Sequence, residues 1–335
     1  MGRLSTWYSA GERNKIKGNA IFVSGLSKQF DHHSALRGID FQVRRGSIHG
    51  FLGPNGAGKT TTIKIILGLI ASDTGEVSVL GMPLKFGQKL DYLRYTTYLP
   101  QDPVFPEGLT GKEALTLVTS IYRLEKNLSQ TRIDRLLKYF QLDDAANRRV
   151  STYSRGMQQR LGIAAVLLPE PELLILDEPV SALDPEGRRR VLEIISRLRN
   201  RATVFFSSHI LADVEKVCDH VTIIDRGRKL LDAGTGELLN RYAMEQYLIA
   251  VRSDQQAEAA AMIRKNPAVR EVSPQQDKLL VISKPGESIA MAEKLLPTLI
   301  RQGITVTEFA PNHTNLEEAF FRVLDENHRR EVDRP

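Results

Sequence analysis

The run Gly53-Pro54-Asn55-Gly56-Ala57-Gly58-Lys59-Thr60 has the spacing G-x-x-x-x-G-K-[ST]. Glycines at these positions let a loop wrap so that successive N–H groups face a phosphate, and a helix starting at the loop's end adds partial positive charge. In such a loop Lys59 would reach the β- and γ-phosphates, and the Thr60 hydroxyl would sit on Mg2+. A chance match in a Gly- and Lys-rich turn is the competing reading. It leaves the context unexplained: Phe51-Leu52 ends an apolar strand, and residues 61–70 continue as two to three turns of apolar helix.

A second half-site should be an acid at the end of another buried strand. Leu173-Leu174-Ile175-Leu176 is apolar throughout, as in a strand covered on both faces, and it ends on Asp177-Glu178, 118 positions after Lys59. Asp177 is placed to hold Mg2+ through water, and Glu178 to polarise an attacking water as general base. Either acid alone could belong to an exposed pair capping the next helix. Adjacent at a strand end, in a chain with a phosphate loop, the two point to nucleotide hydrolysis rather than binding alone.

Four further runs appear around these: Tyr98-Leu99-Pro100-Gln101, Tyr153-Ser154-Arg155-Gly156-Met157, Ser181-Ala182-Leu183-Asp184 and Phe206-Ser207-Ser208-His209. With these motifs in this order, the chain from about Ile21 to Leu239 resembles the ATP-binding subunit of an ABC transporter, most like the ABC-2-type ATPases of drug, antibiotic and lipid exporters. The resemblance implies a P-loop NTPase α/β fold of ABC type, with an antiparallel β subdomain and a helical insertion. It implies ATP and Mg2+ as ligands. Gly53 to Thr60 and Thr61 would bind ATP, with Phe30 stacking on adenine; a core aromatic ending a strand is the other reading of Phe30. Thr60, Gln101 and Asp177 would hold Mg2+. Glu178, His209 and Gln101 would serve catalysis, His209 by bonding the γ-phosphate and holding Glu178. Asp184 would belong to the D-loop. Two subunits would sandwich two ATPs, so that Ser154, Arg155, Gly156 and Met157 meet the nucleotide of the other chain. This signature departs from the family's LSGGQ through Tyr153, Arg155 and Met157.

The elements that must position these residues are bounded by composition. A chain of 335 residues suggests about two domains. With 41% hydrophobic and 26% charged residues it is neither disordered nor collagenous. The net charge of +6 is uneven: residues 1–244 carry 34 Lys+Arg against 26 Asp+Glu, residues 245–335 carry 12 against 14. A modestly basic first part fits phosphate ligands, an anionic membrane surface or nucleic acid alike. The single cysteine, Cys218, excludes an intrachain disulfide and a cysteine metal cage, and suits a reducing cytoplasm. Residues 1–18 are polar and lack the apolar segment of a secretory signal. The longest apolar run, around Leu161–Leu168, stops at Pro169, short of the about 18 residues a membrane span needs.

The pattern predicts a flexible leader over 1–18 and an ATPase domain over 19–241, with a helical subdomain at about 84–162. An accessory α+β domain of order β-α-β-β-α-β follows over 242–326, then a tail over 327–335. Thr110 and Ser129 read as helix N-caps, and Val191, Ile194, Ile195 and Leu198 as one apolar helix face. Cys218 reads as a core residue on a helix, Pro297 as a kink or early stop, and Thr314 with Glu317 as a capping box. The accessory domain carries no evident chemistry; dimer stabilisation or regulation stands beside passive packing.

The expected function is the motor of an exporter, at the cytoplasmic face of the membrane. Its partners would be a separate multi-spanning permease and a second ATPase subunit in a homodimer, with no nucleic acid. The alternative is a soluble ABC ATPase acting on ribosomes or DNA. Against it, translation-linked relatives usually fuse two cassettes where this chain has one phosphate loop, and 118 positions between the motifs leave no room for a long coiled coil.

Overall fold

Three apolar runs, Ile48–Leu52, Leu173–Asp177 and Thr203–Ser208, are buried along their whole length and lie side by side in a parallel sheet. The computed structural model describes residues 18–31, 33–242, 246–284, 286–312, 316–317, 320–321 and 323–324. Packing divides the chain into two units, Met1–Thr235 and Gly236–Pro335.

The first unit runs β1 (Asn19–Phe30), β2 (His33–Arg44), β3 (Ile48–Leu52), α1 (Lys59–Ile66), β4 (Thr74–Val79), β5 (Met82–Pro83) and β6 (Thr96–Leu99). It continues through α2 (Gly111–Ile121), α3 (Lys126–Tyr139), α4 (Arg155–Leu167), β7 (Leu173–Asp177), α5 (Pro185–Arg197), β8 (Thr203–Ser208), α6 (Leu211–Val217), β9 (His220–Asp225) and β10 (Arg228–Gly234). β2, β1, β4 and β5 form an antiparallel sheet. The other sheet has the order β10-β9-β3-β8-β7-β6, parallel except for the β9–β10 hairpin. Phe41 of β2 meets Phe51 of β3 and Phe205 of β8 at ring-centroid distances of 5.1 and 5.7 Å, which joins the two sheets through one core.

The span expected to be helical is interrupted by β6, which pairs with β7 and belongs to the parallel sheet. The helices follow it. Thr110 caps α2 with a full capping box: its hydroxyl accepts from the Glu113 N–H and the Glu113 carboxylate accepts from the Thr110 N–H. Ser129 is not a cap. It lies one turn inside α3, where its hydroxyl donates to the Glu125 carbonyl at 2.6 Å, because the helix starts at Lys126. In α5 the residues Val191, Ile194 and Ile195 are buried, as is Leu198 at its C-cap. Cys218 is buried too, but one residue beyond α6, in extended conformation.

α7 (Thr235–Tyr242) begins at the division and is followed by β11 (Gln246–Val251), α8 (Gln256–Arg264), β12 (Val269–Gln275), β13 (Lys278–Ser283), α9 (Ser288–Arg301) and β14 (Val306–Asn312). From β11 onward this is the β-α-β-β-α-β order, with an antiparallel sheet β12-β13-β11-β14. Ala259 and Ile263 of α8 and Met291, Leu295 and Leu299 of α9 pack with Ile249 and Val281 of the sheet. α9 runs through Pro297 to Arg301. Thr314, with its capping box, lies outside the described residues, as do His32, residues 1–17 and 325–335.

Candidate active site

Sheet order and register bring the chemistry together. β3, β8 and β7 are consecutive neighbours, Leu52 lies opposite Ser208, and Asp177 lies opposite Ser207. The phosphate loop, the two acids and His209 therefore emerge from adjacent strand ends at the carboxyl edge of a parallel sheet, where open α/β folds bind ligands.

The loop is fixed by packing that a side chain would break. A Cβ on Gly53 would lie 2.3 Å from the Ile224 carbonyl oxygen. Gly58 has φ +108°, and its Cβ would meet the Ala35 carbonyl at 2.7 Å. The Gly227 N–H donates to the Ala57 carbonyl at 3.0 Å while its own carbonyl accepts from the Arg37 N–H at 2.8 Å, so the β9–β10 turn ties the loop to β2. Pro54, Asn55 and Gly56 are exposed at the crown, Ala57 is buried, and Thr61 is half-buried in the first turn of α1. Lys59 is buried beneath them. Its Nζ donates to the carbonyls of Gly53 at 2.7 Å and Pro54 at 3.1 Å, and lies 3.6 Å from Glu178 Oε1. Burial pushes the Lys59 ammonium below the usual lysine range, and Glu178 and Asp177 oppose that.

The acids are held from both sides. Thr60 Oγ1 donates to Asp177 Oδ2 at 2.9 Å, and Ser207 Oγ donates to Asp177 Oδ1 at 2.5 Å. Glu178 has φ +50°, uncommon for a side chain with a Cβ, and its N–H donates to Ser207 Oγ at 2.9 Å. Its Oε2 lies 2.6 Å from His209 Nδ1. A carboxylate touching both a lysine and a histidine, beside a second carboxylate with a hydroxyl at hand, can bind phosphate and cation and accept a proton from water. Hard oxygen donors at Thr60 and Asp177 are the right kind for Mg2+.

Other expected residues lie at the rim. Phe30 ends β1 and is 43% exposed, as a stacking face requires, with Lys28 Nζ 5.3 Å from its ring centroid. Gln101 is exposed in a bend after β6. Ser154 is the N-cap of α4 and accepts from the Met157 N–H at 3.3 Å; Gly156 and Met157 are half-buried in its first turn. Arg155 donates to Asp102 Oδ1 at 2.6 Å, and both side chains are about two-thirds exposed. Asp184 caps α5 by accepting from the Gly187 N–H at 3.1 Å. Tyr153, at the family's Leu position, is buried and donates to the Ala145 carbonyl at 2.7 Å.

Several contacts were not readable from motifs. Ser207 lies within a motif but showed no role of its own. Gln159 is buried, and its amide donates to the Pro179 carbonyl at 3.0 Å, linking α4 to the turn after Glu178. The amide of a buried glutamine is the signal: it must find a partner. Below the loop, His49 of β3 is fully buried, with Nε2 2.8 Å from Thr222 Oγ1. Burial first, then His220, lowers its pKa to about 3.

The fold and this site define a P-loop ATPase. The sequence profile of the family "ABC transporter" matches residues 36–181. An uncharacterised ABC transporter ATP-binding protein of Bacillus subtilis is 36% identical over 91% of this chain and 99% of its own length. The bacitracin transport ATP-binding protein of Bacillus licheniformis is 34% identical over 91% of this chain and 97% of its own. A solved structure of the ATP-binding subunit of an ABC transporter superposes with a TM-score of 0.61 at 33% identity, covering 67% of this chain and 93% of that one. The chain belongs to the ATP-binding subunits of ABC transporters, and ATP is its nucleotide.

Proposed function

We propose that the chain is the motor of an exporter: a peripheral subunit at the cytoplasmic face of the membrane that works as a homodimer with a separate multi-spanning permease. The observation that carries this is the single cluster of Lys59, Thr60, Asp177, Glu178 and His209, in a chain similar nearly end to end to a protein named for bacitracin transport. Residues 19–241 would be the ATPase domain and 242–326 an accessory domain.

Lys59 and the loop N–H groups would hold the β- and γ-phosphates. Thr60, Asp177 and Gln101 would hold Mg2+, which would supply positive charge against the charge that develops on the phosphates. Glu178 takes the proton as a water oxygen bonds to the γ-phosphorus and the bond to the bridging oxygen of ADP breaks. His209 keeps the carboxylate aimed through Nδ1. Phe30 would stack on adenine. Ser154, Arg155, Gly156 and Met157 would meet the nucleotide of the partner subunit, from a helix N-terminus where an anion is favoured.

The permease would dock on exposed apolar side chains beyond the Gln101 bend. Val104 is 89% exposed, and Leu117 and Ile121 share one face of α2 with 40% and 67% exposure. Among the described residues no helix is long and apolar enough to cross a membrane, in keeping with a separate spanning subunit. The test is affinity purification of the tagged chain from detergent-solubilised native membranes. A stoichiometric multi-spanning protein is the expected outcome. Ribosomes, DNA-bound proteins or no partner would overturn the reading.

A further inference from the structure

We infer that Ser207 is a positioning residue for both acids, turning Asp177 toward the metal and Glu178 toward the attacking water. Its side chain is fully buried, between the two residues on which hydrolysis depends. A serine hydroxyl has one proton to give. The Glu178 N–H occupies a lone pair of Ser207 Oγ at 2.9 Å, and the proton goes to Asp177 Oδ1 at 2.5 Å. Strand register dictates this: Ser207 lies directly opposite Asp177 across β7 and β8.

The two hydroxyls on Asp177 are not equivalent. Thr60 is exposed and belongs to the proposed metal shell, where its oxygen would face the cation while its proton stays on Asp177 Oδ2. Ser207 lies outside that shell and keeps its bond. Its buried hydroxyl fixes the Oδ1 side of the carboxylate from behind. The same hydroxyl anchors the Glu178 backbone at φ +50°, a conformation that needs local support. One buried hydroxyl thus couples the rotamer of the metal-side acid to the backbone of the base.

This rests on placing Mg2+ at Thr60 and Asp177, so the test has a metal readout separate from turnover. A fluorescent ATP analogue is bound to the full chain in EDTA and across a Mg2+ titration, for wild type, Ser207→Ala, Ser207→Cys and Ser207→Thr. Melting temperature and phosphate release are measured alongside. Cysteine leaves no cavity, its sulfur being somewhat larger than the oxygen, but donates weakly, so it separates packing loss from the hydrogen bond and carries the test if the alanine variant does not fold. The expected result is EDTA binding within about two-fold of wild type for Ala and Cys, with about ten-fold more Mg2+ required and kcat reduced at least as much. Threonine, which restores the hydroxyl, recovers the metal dependence. Wild-type Mg2+ dependence in both Ala and Cys overturns the inference. So does EDTA binding that falls in step with metal binding, which marks a general collapse of the site. A wild type with no Mg2+ dependence overturns the metal placement itself.

Discussion

The phosphate loop and the signature loop are both short turns that open a helix, yet they are built in opposite ways. In the first, the working groups face inward: Lys59 is 7% exposed, held by two loop carbonyls and Glu178, and the glycines pack on the backbone of Ala35 and Ile224. In the second, Ser154 and Arg155 are exposed, and the contact holding Arg155 is a surface ion pair with Asp102. A site that must bind phosphate within one chain is over-determined by that chain. A loop proposed to complete the site of another subunit is anchored behind, through Tyr153 and Gln159, and left open in front.

The largest expected effect falls on the inward half. Glu178→Gln keeps the shape and removes the base, so phosphate release should fall by about 10²–10⁴-fold. With MgATP the variant should elute as a dimer on size exclusion. A monomer with normal turnover would remove Glu178 from the mechanism.

A matched glycine pair sharpens the contrast. Gly53→Ala places a Cβ 2.3 Å from the Ile224 carbonyl, so the loop must move; ATP affinity should drop by about ten-fold or more, with a lower melting temperature. Gly156→Ala meets the Ala182 carbonyl only at 3.4 Å. Nucleotide binding by the monomer and the melting temperature should stay near wild type, while ATP-driven dimerisation and turnover fall. If both variants lose monomer binding equally, the two loops do not differ as described.

Acid should also divide the molecule. His49 has a usual pKa near 6.5 and one of about 3 in the fold. The unfolded chain therefore binds a proton that the folded chain refuses, and stability declines as pH drops from about 6.5 toward 3, by up to about 1.4 kcal/mol per pH unit. The loss acts on β3, the strand feeding the phosphate loop. His49→Phe, which keeps an aromatic beside Phe41 and Phe205, should flatten the acid limb of a denaturation-versus-pH curve. An unchanged limb would show that other groups control it.

What could be read from the sequence follows the same division. The phosphate loop and the Asp177-Glu178 pair are contiguous or strand-terminal, and the chemistry they need has few solutions, so residue type and spacing pointed to them; His209 came from the family resemblance. Ser207, Gln159 and Gly227 act across strands or through a hairpin, and their significance depends on register that spacing does not encode. The Ser129 cap failed for a local reason: serine also satisfies itself inside a helix by bonding the carbonyl four residues back, as it does with Glu125. Periodicity did not separate β6 from the helical span, because four residues between turns are a weak signal; the family motif Tyr98-Leu99-Pro100-Gln101 marked the place.

The smallest effect concerns Arg155, where the family has glycine. An ion pair with both side chains about two-thirds exposed contributes little: Arg155→Gln and Asp102→Asn should each change stability by under about 0.5 kcal/mol, and their double-mutant cycle should give a coupling below about 1 kcal/mol. The same cycle measured on turnover is the informative one. Asp102 follows Gln101 directly, so the pair links the proposed permease-facing bend to the proposed partner-facing signature. Coupling in turnover well above the coupling in stability would mean that the arginine transmits between those loops. Equal, small values would reduce it to a solvated surface contact, and the open front of the signature would then rest on Ser154 and Gly156.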